Sequence, residues 1–291
     1  MTQFTAGLID VFAETPFGGN PLAVVEDADG LSDAQMQRIA GEFNQAETTF
    51  LLQSDRANRK LRSFTASGAE VFGAGHNALG AWLWMGEHGQ LGSLDTPRTF
   101  RQEIGEDVLP ITLVKAGGRV HGRMRQAALR LSAPLAATSA LAEALGLAPD
   151  EVAPFPAARA ADTGAAHLIV RLRDARAVDR AAPSALALLA ILGSAGAEGC
   201  YAYAFDPASP DTAYARFFNP TVGLWEDAAT GTAAGPLCAY LGAEGLLNPE
   251  KTLVVEQGVK MGRRSLLRVR LTPDPELSGT GIVALRGTLT L

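Results

Sequence analysis

Apolar positions recur at two periods along the first third of the chain, and the switches between them mark out its elements. Residues 7–13 and 21–26 read as short β-type runs, separated by Thr15-Pro-Phe-Gly-Gly19, whose paired glycines permit the positive φ of a tight turn. Ser32-Asp-Ala-Gln35 has the form of a capping box, and Met36, Ile39, Ala40 and Phe43 follow at i, i+3, i+4 and i+7, so a helix is predicted there. Period two returns over residues 46–53, where Glu47, Thr49 and Leu51 share one face and Thr48, Phe50 and Leu52 the other. A carboxylate is thereby set beside apolar neighbours. After a further strand near 60–65, the glycine-rich turn Gly73-Ala-Gly75 runs into an apolar helix that carries Trp82 and Trp84.

A loose second copy of this last pattern lies in the C-terminal half. An Arg-containing strand, a linker of small residues, a glycine and a small-residue helix start recur, with Arg216 and Gly231 standing as Arg62 and Gly75 do. Such repetition implies two similar halves, each presenting a helix N-terminus at its glycine turn. The stretch 132–152, rich in Pro, Ser and Ala ahead of a short helix, places the crossover near residue 132. The expected division is 1–132 and 133–291, with the last strand able to return to the first half. The 31 glycines and 16 prolines exceed average usage, which favours many turns between short elements and a strand-rich fold.

Composition narrows the function classes. The chain has 291 residues, 47% hydrophobic and 19% charged, as a folded protein does, and a formal net charge of −6. No basic patch stands ready to neutralise phosphates, so nucleic acid is not an expected partner. The longest wholly apolar run, 185–192, falls short of the roughly 20 residues that a membrane helix needs. The N-terminus lacks a basic segment leading into an apolar stretch, and a cytoplasmic location is expected. Two cysteines without a CxxC pair and four scattered histidines give no reason to expect a metal.

Several residues carry candidate chemistry. Two helix N-termini facing one cleft would offer amides around Gly75 and Asn77, and around Gly231, Thr232 and Ala233, to a carboxylate; the same glycines also serve turns and close packing. Gly73-Ala-Gly-His-Asn-Ala78 satisfies GxGxxG/A, with Asp95 near the spacing of a ribose-binding acid, which raises an NAD(P)-dependent oxidoreductase as an alternative. Against it, residues 63–70 are small and polar, unlike the buried strand that feeds a dinucleotide turn. Glu47 is the candidate general acid/base if its apolar neighbours raise its pKa, or else a solvated strand-edge glutamate. His76 can exchange a proton or cap its helix, and Asp227 can accept from a substrate or cap the next one.

Together, DVFAETPFGGNPLAVV (10–25), ADGLSDAQMQRIAGEFNQAETTFLL (28–52), GAGHNALGA (73–81), EDAATGTAAGPLCAYL (226–241) and EQGVKMGRRS (256–265) resemble the PhzF-like phenazine biosynthesis isomerases, whose fold is that of diaminopimelate epimerase. The resemblance implies an α+β fold of two similar halves, each a mostly antiparallel sheet curled around a central helix, with the active site between them. It further implies a cofactor-independent isomerase, a homodimer, that shifts a proton between carbons of a small carboxylate-bearing metabolite with Glu47. His76 and Asp227 match the family's cleft histidine and aspartate, and Thr232 stands where a serine is usual. Val71-Phe72-Gly73 departs from a common Pro-Phe pair, and Arg264 replaces a proline. Related epimerases and proline racemases place a cysteine at each glycine turn; neither turn here has one, so a two-thiol racemase is not expected. A non-catalytic binding protein on the same fold is the remaining alternative.

Overall fold

The computed structural model describes residues 1–222, 224–248 and 250–291, with the backbone alone at Val222 and Leu224; Gly223, within the second copy of the repeated pattern, lies outside them. The chain forms two compact units, Met1–Arg125 with Ser278–Leu291, and Gln126–Leu277. The division precedes position 132 because Arg130 and Leu131 pair with Asp162 and Ala161 of the second unit.

In the first unit the elements are β1 (Gln3–Val11), β2 (Asn20–Val25), α1 (Asp33–Phe43), β3 (Glu47–Leu52), β4 (Arg59–Phe64), β5 (Glu70–Val71), α2 (His76–Glu87), β6 (Arg98–Ile104), β7 (Asp107–Ala116) and β8 (Arg119–Arg125). β1 pairs antiparallel with β2, β2 runs parallel to β3, and β3 pairs antiparallel with β4. β4 carries the short β5 and runs parallel to β6, after which β7 and β8 follow antiparallel. The C-terminal strand, Pro275–Thr290, lies between β1 and β8, so the pairings close into a ring. Closure removes the unpaired edges that an open sheet would expose. β1 begins ahead of position 7 because its first residues pair with the far end of the chain, Gln3 with Thr290.

Helix α1 starts where the capping box places it: Ser32 N–H donates to Gln35 Oε1 at 2.9 Å, and Gln35 N–H donates back to Ser32 Oγ at 3.4 Å. Met36, Ile39 and Ala40 pack with Val25, Phe50 and Phe64 in one core cluster. Helix α2 is buried along all of 76–86, the mark of a helix surrounded by its sheet. Trp82 Nε1 donates to Gln102 Oε1 and Trp84 Nε1 to Glu26 Oε1, which satisfies both buried indoles. Gly80 lets the sheet approach, since a Cβ there would stand 2.6 Å from atoms of both Val11 and Leu22.

The second unit contains β9 (Arg130–Leu131), α3 (Thr138–Ala144), β10 (Arg159–Asp162), β11 (Ala166–Arg171), α4 (Ala175–Arg180), α5 (Ala185–Ala195), β12 (Gly199–Phe205), β13 (Thr212–Asn219), β14 (Leu224–Asp227), α6 (Gly231–Ala243), β15 (Thr252–Gln257) and β16 (Ser265–Leu271). Its pairings repeat those of the first. β10 and β11 are antiparallel, β11 and β12 parallel, β12 and β13 antiparallel, β13 and β15 parallel, and β15 and β16 antiparallel. β14 is the counterpart of β5, and α6 follows it as α2 follows β5. Helices α3, α4 and α5 bury Leu141, Val178, Leu188 and Leu192 against Leu168 and Val170.

The duplication extends to side chains. Arg62 Nε and Nη2 donate to the two carboxylate oxygens of Glu70 at 2.7 Å each, and Arg216 Nε and Nη2 do the same to Glu226 at 2.8 and 2.7 Å. Each glutamate stands five positions before its glycine, Gly75 or Gly231. The chain is α+β. Among the described residues no helix is long and apolar enough to cross a membrane, and no group of three or more His, Cys, Asp and Glu side chains is placed to hold a metal ion.

Candidate active site

In the first unit, strand alternation delivers the predicted faces. Phe50 and Leu52 turn to the α1 cluster, while Glu47 and Thr49 turn toward the start of α2. A buried polar network sets the turn there: Thr49 Oγ1 and Ser63 Oγ are 2.9 Å apart, and Asn77 Nδ2 donates to Ser63 Oγ at 3.1 Å and to the Gly73 carbonyl at 2.9 Å. Asn77 Oδ1 accepts from Gly75 N–H at 2.8 Å. The Gly75 amide is therefore engaged, and the Asn77 side chain holds the turn together. The amides of Asn77 and Ala78 keep no acceptor among the described residues, as expected of a helix N-terminus.

Glu47 sits against this turn, its Oε2 3.7 Å from His76 Nδ1. The Glu47 side chain keeps 19% of its surface exposed, yet Oε2 itself is inaccessible and has no hydrogen-bond partner. Burial raises the carboxyl from its ordinary 4.5 to about 7, with no nearby cation strong enough to oppose the desolvation. Such a group exists in both protonation states near neutral pH, which suits proton transfer in either direction.

In the second unit, Asp227 ends β14 and is buried. Its Oδ2 accepts from Thr230 Oγ1 at 2.6 Å. Gln257 holds both: Nε2 donates to the Asp227 carbonyl at 2.8 Å and to Thr230 Oγ1 at 3.0 Å, while Oε1 accepts from Tyr201 OH at 2.9 Å and from Thr230 N–H at 3.2 Å. With Thr230 Oγ1 accepting a hydrogen bond from Gln257 Nε2, its own hydrogen is directed at Asp227. At the start of α6, Ala233 N–H donates to the Thr230 carbonyl at 3.1 Å, whereas the amides of Gly231 and Thr232 keep no acceptor among the described residues. Thr232 Oγ1 lies 3.0 Å from His167 Nε2.

The dinucleotide alternative finds a different context. The GxGxxG/A turn follows β5, a two-residue antiparallel strand, rather than a buried strand of a parallel βαβ unit, and Asp95 is exposed and bonded to Ser93 Oγ. Cys200 in β12 and Cys238 in α6 are buried, and burial pushes both thiols up to about 12, away from thiolate chemistry at neutral pH. Ser63, Thr230, Tyr201, His167 and Gln257 went unmarked in the sequence. For Ser63, Tyr201, His167 and Gln257 the signal is a polar side chain at an inward strand position, and for Thr230 a hydroxyl at the N-cap of α6; Gln257 also lies in EQGVKMGRRS, which carried the resemblance without a role.

Comparison with known proteins places the chain in a family. The family model described as phenazine biosynthesis-like protein matches residues 9–288. The trans-2,3-dihydro-3-hydroxyanthranilate isomerase of Pseudomonas chlororaphis is 34% identical over 291 residues, covering 98% of each chain. A phenazine biosynthesis protein of the PhzF family from Bacillus anthracis superposes with a TM-score of 0.90 at 27% identity over the whole of both chains. A hydroxyproline epimerase from Agrobacterium vitis, 12% identical with a TM-score of 0.67 over 99% of this chain and 93% of its own, shares the fold. With a model match over nearly all its length and a curated isomerase at this identity, the chain belongs to the phenazine biosynthesis-like PhzC–PhzF family.

Proposed function

We propose that the protein is a cofactor-independent isomerase of the diaminopimelate epimerase architecture, in which Glu47 removes a proton from a carbon of a small carboxylate substrate and returns it to another carbon. The observation that carries this is the Glu47 carboxyl, tuned to about 7 by burial, with an oxygen unclaimed by any hydrogen bond. One base suffices: the glutamate takes the proton, stands protonated while the substrate is anionic, and gives it back. His76, at 3.7 Å, is assigned to the substrate's polar groups and to steering the carboxylate. Asp227, held by Thr230 and Gln257, is assigned to a substrate amine or hydroxyl. Anion binding falls to the amides of Gly231 and Thr232 rather than to Gly75, whose N–H is engaged by Asn77.

The name of the Pseudomonas chlororaphis relative supplies the first substrate to try. Proton NMR in heavy water with trans-2,3-dihydro-3-hydroxyanthranilate is expected to show product and deuterium incorporation with the wild type and neither with folded Glu47→Gln. Turnover by Glu47→Gln near the wild-type rate would remove Glu47 from the mechanism. An inert wild type would reject this substrate, consistent with the departures at Val71 and Arg264.

A further inference from the structure

His167 lies on β11, opposite Gly199 of β12, and is 3% exposed. The bare Gly199 leaves room for Phe217, whose ring stands edge-on to the imidazole at a centroid distance of 4.9 Å and an interplanar angle of 84°. Among the described residues, the only hydrogen bond to the ring is the 3.0 Å contact between Nε2 and Thr232 Oγ1, and the buried Nδ1 has no partner. Thr232 is the one residue along 227–241 that is not buried, and the histidine backs its hydroxyl.

The direction of that bond matters. Of the two neutral tautomers, one places the hydrogen on Nδ1, where a buried N–H would go unsatisfied; the other leaves only a lone pair there and lets Nε2–H donate to Thr232. Orphaned buried donors are rarer than under-used acceptors. Burial lowers the imidazole to about 4 despite the opposing charge of Asp162, so the ring is neutral at pH 7. A Thr232 oxygen that accepts from His167 turns its own hydrogen elsewhere, and the branched side chain narrows its choice of rotamer.

We infer that His167 is a positioning residue that donates from Nε2 to Thr232 Oγ1 and so commits the Thr232 hydroxyl to donating to a carboxylate oxygen of the substrate. The inference rests on the proposed function and deepens it. Together with the neighbouring amides of Gly231 and Thr232, the hydroxyl makes a three-donor cradle for one anionic group.

Two measurements test this. Long-range proton–nitrogen correlation spectra of 15N-labelled wild-type protein, assigned against His167→Phe, are expected to show His167 as the neutral Nε2–H tautomer from pH 6 to 8. Calorimetric binding of 3-hydroxyanthranilate, the stable aromatic counterpart of the relative's substrate, is expected to weaken about tenfold in Thr232→Val and in His167→Phe, a charge-assisted hydrogen bond's worth. The double variant should lose no more than either single one, and Thr232→Ser should restore most of the affinity. A binding wild type that shows the Nδ1–H tautomer, additive losses, or unchanged affinity in Thr232→Val overturns the role of His167 alone. A wild type that neither binds 3-hydroxyanthranilate nor turns over trans-2,3-dihydro-3-hydroxyanthranilate rejects that substrate for this chain, and the role of His167 is then decided by its tautomer, which overturns it if the proton sits on Nδ1.

Discussion

A carboxyl raised to about 7 lowers the stability of the fold that raises it, and Glu47 bears that cost without the hydrogen bonds that offset it at Asp227 or Glu226. The folded state binds the Glu47 proton more tightly than the unfolded chain, whose carboxyl titrates near 4.5. The contribution of Glu47 to wild-type stability therefore declines as pH rises from about 4.5 through 7, and its full loss, on the order of 3 kcal/mol, is present above 7. Glu47→Gln has no charge to bury. Relative to the wild type its unfolding free energy should rise by roughly this amount between pH 4.5 and pH 8, whatever constant offset the amide introduces. Urea denaturation of both proteins at the two pH values measures the difference; a gap that does not change with pH would mean that the carboxylate is solvated. This test needs no substrate, which separates the state of the carboxyl from its use.

At the scale of elements, both central helices are apolar nearly all round, and the fold works by wrapping strands about them. Gly80 is where the fit around α2 is tightest: a methyl there would meet Val11 and Leu22 at 2.6 Å. Gly80→Ala gains helix propensity of about 1 kcal/mol but overpacks a closed ring of strands, a cost of about 1–3 kcal/mol. A lowered melting temperature is expected, and an unchanged or raised one would show that the strands yield to the methyl. Local pattern made much of this visible. The capping box, the alternation that puts Glu47 opposite Phe50, and the glycine turn into a tryptophan-bearing helix are all written over spans of fewer than a dozen residues. The polar network behind them was not, because Ser63, Asn77, Thr230 and Gln257 acquire meaning from partners on other strands. The sequence offers Asn77 and Gly75 as amides for a substrate, and only the fold shows the Asn77 side chain occupying the Gly75 N–H.

Across the whole molecule, one pattern of pairings occurs twice, and the loose match of Arg62 and Gly75 with Arg216 and Gly231 was its trace in the sequence. The sharper trace, a glutamate five positions before each glycine and bidentate to each arginine, becomes distinctive only through the fold. The repeat is not divided at the middle of the chain. Ser278–Leu291 belongs with Met1–Arg125, because β1 pairs along the C-terminal strand from Gln3 with Thr290 to Val11 with Gly281. Cooperative opening follows such shared hydrogen bonds rather than sequence order. Amides of 281–290 are therefore expected to exchange in step with those of β1 and β8, and apart from those of β15 and β16, which precede them directly in the chain. Gly80→Ala sharpens the comparison, since it strains α2 against β1 and β2. In that variant, native-state hydrogen exchange should accelerate in 281–290 by the same free energy as in β1. Acceleration in β1 with 281–290 unmoved would mean that the C-terminal strand is not part of the first unit's cooperative core.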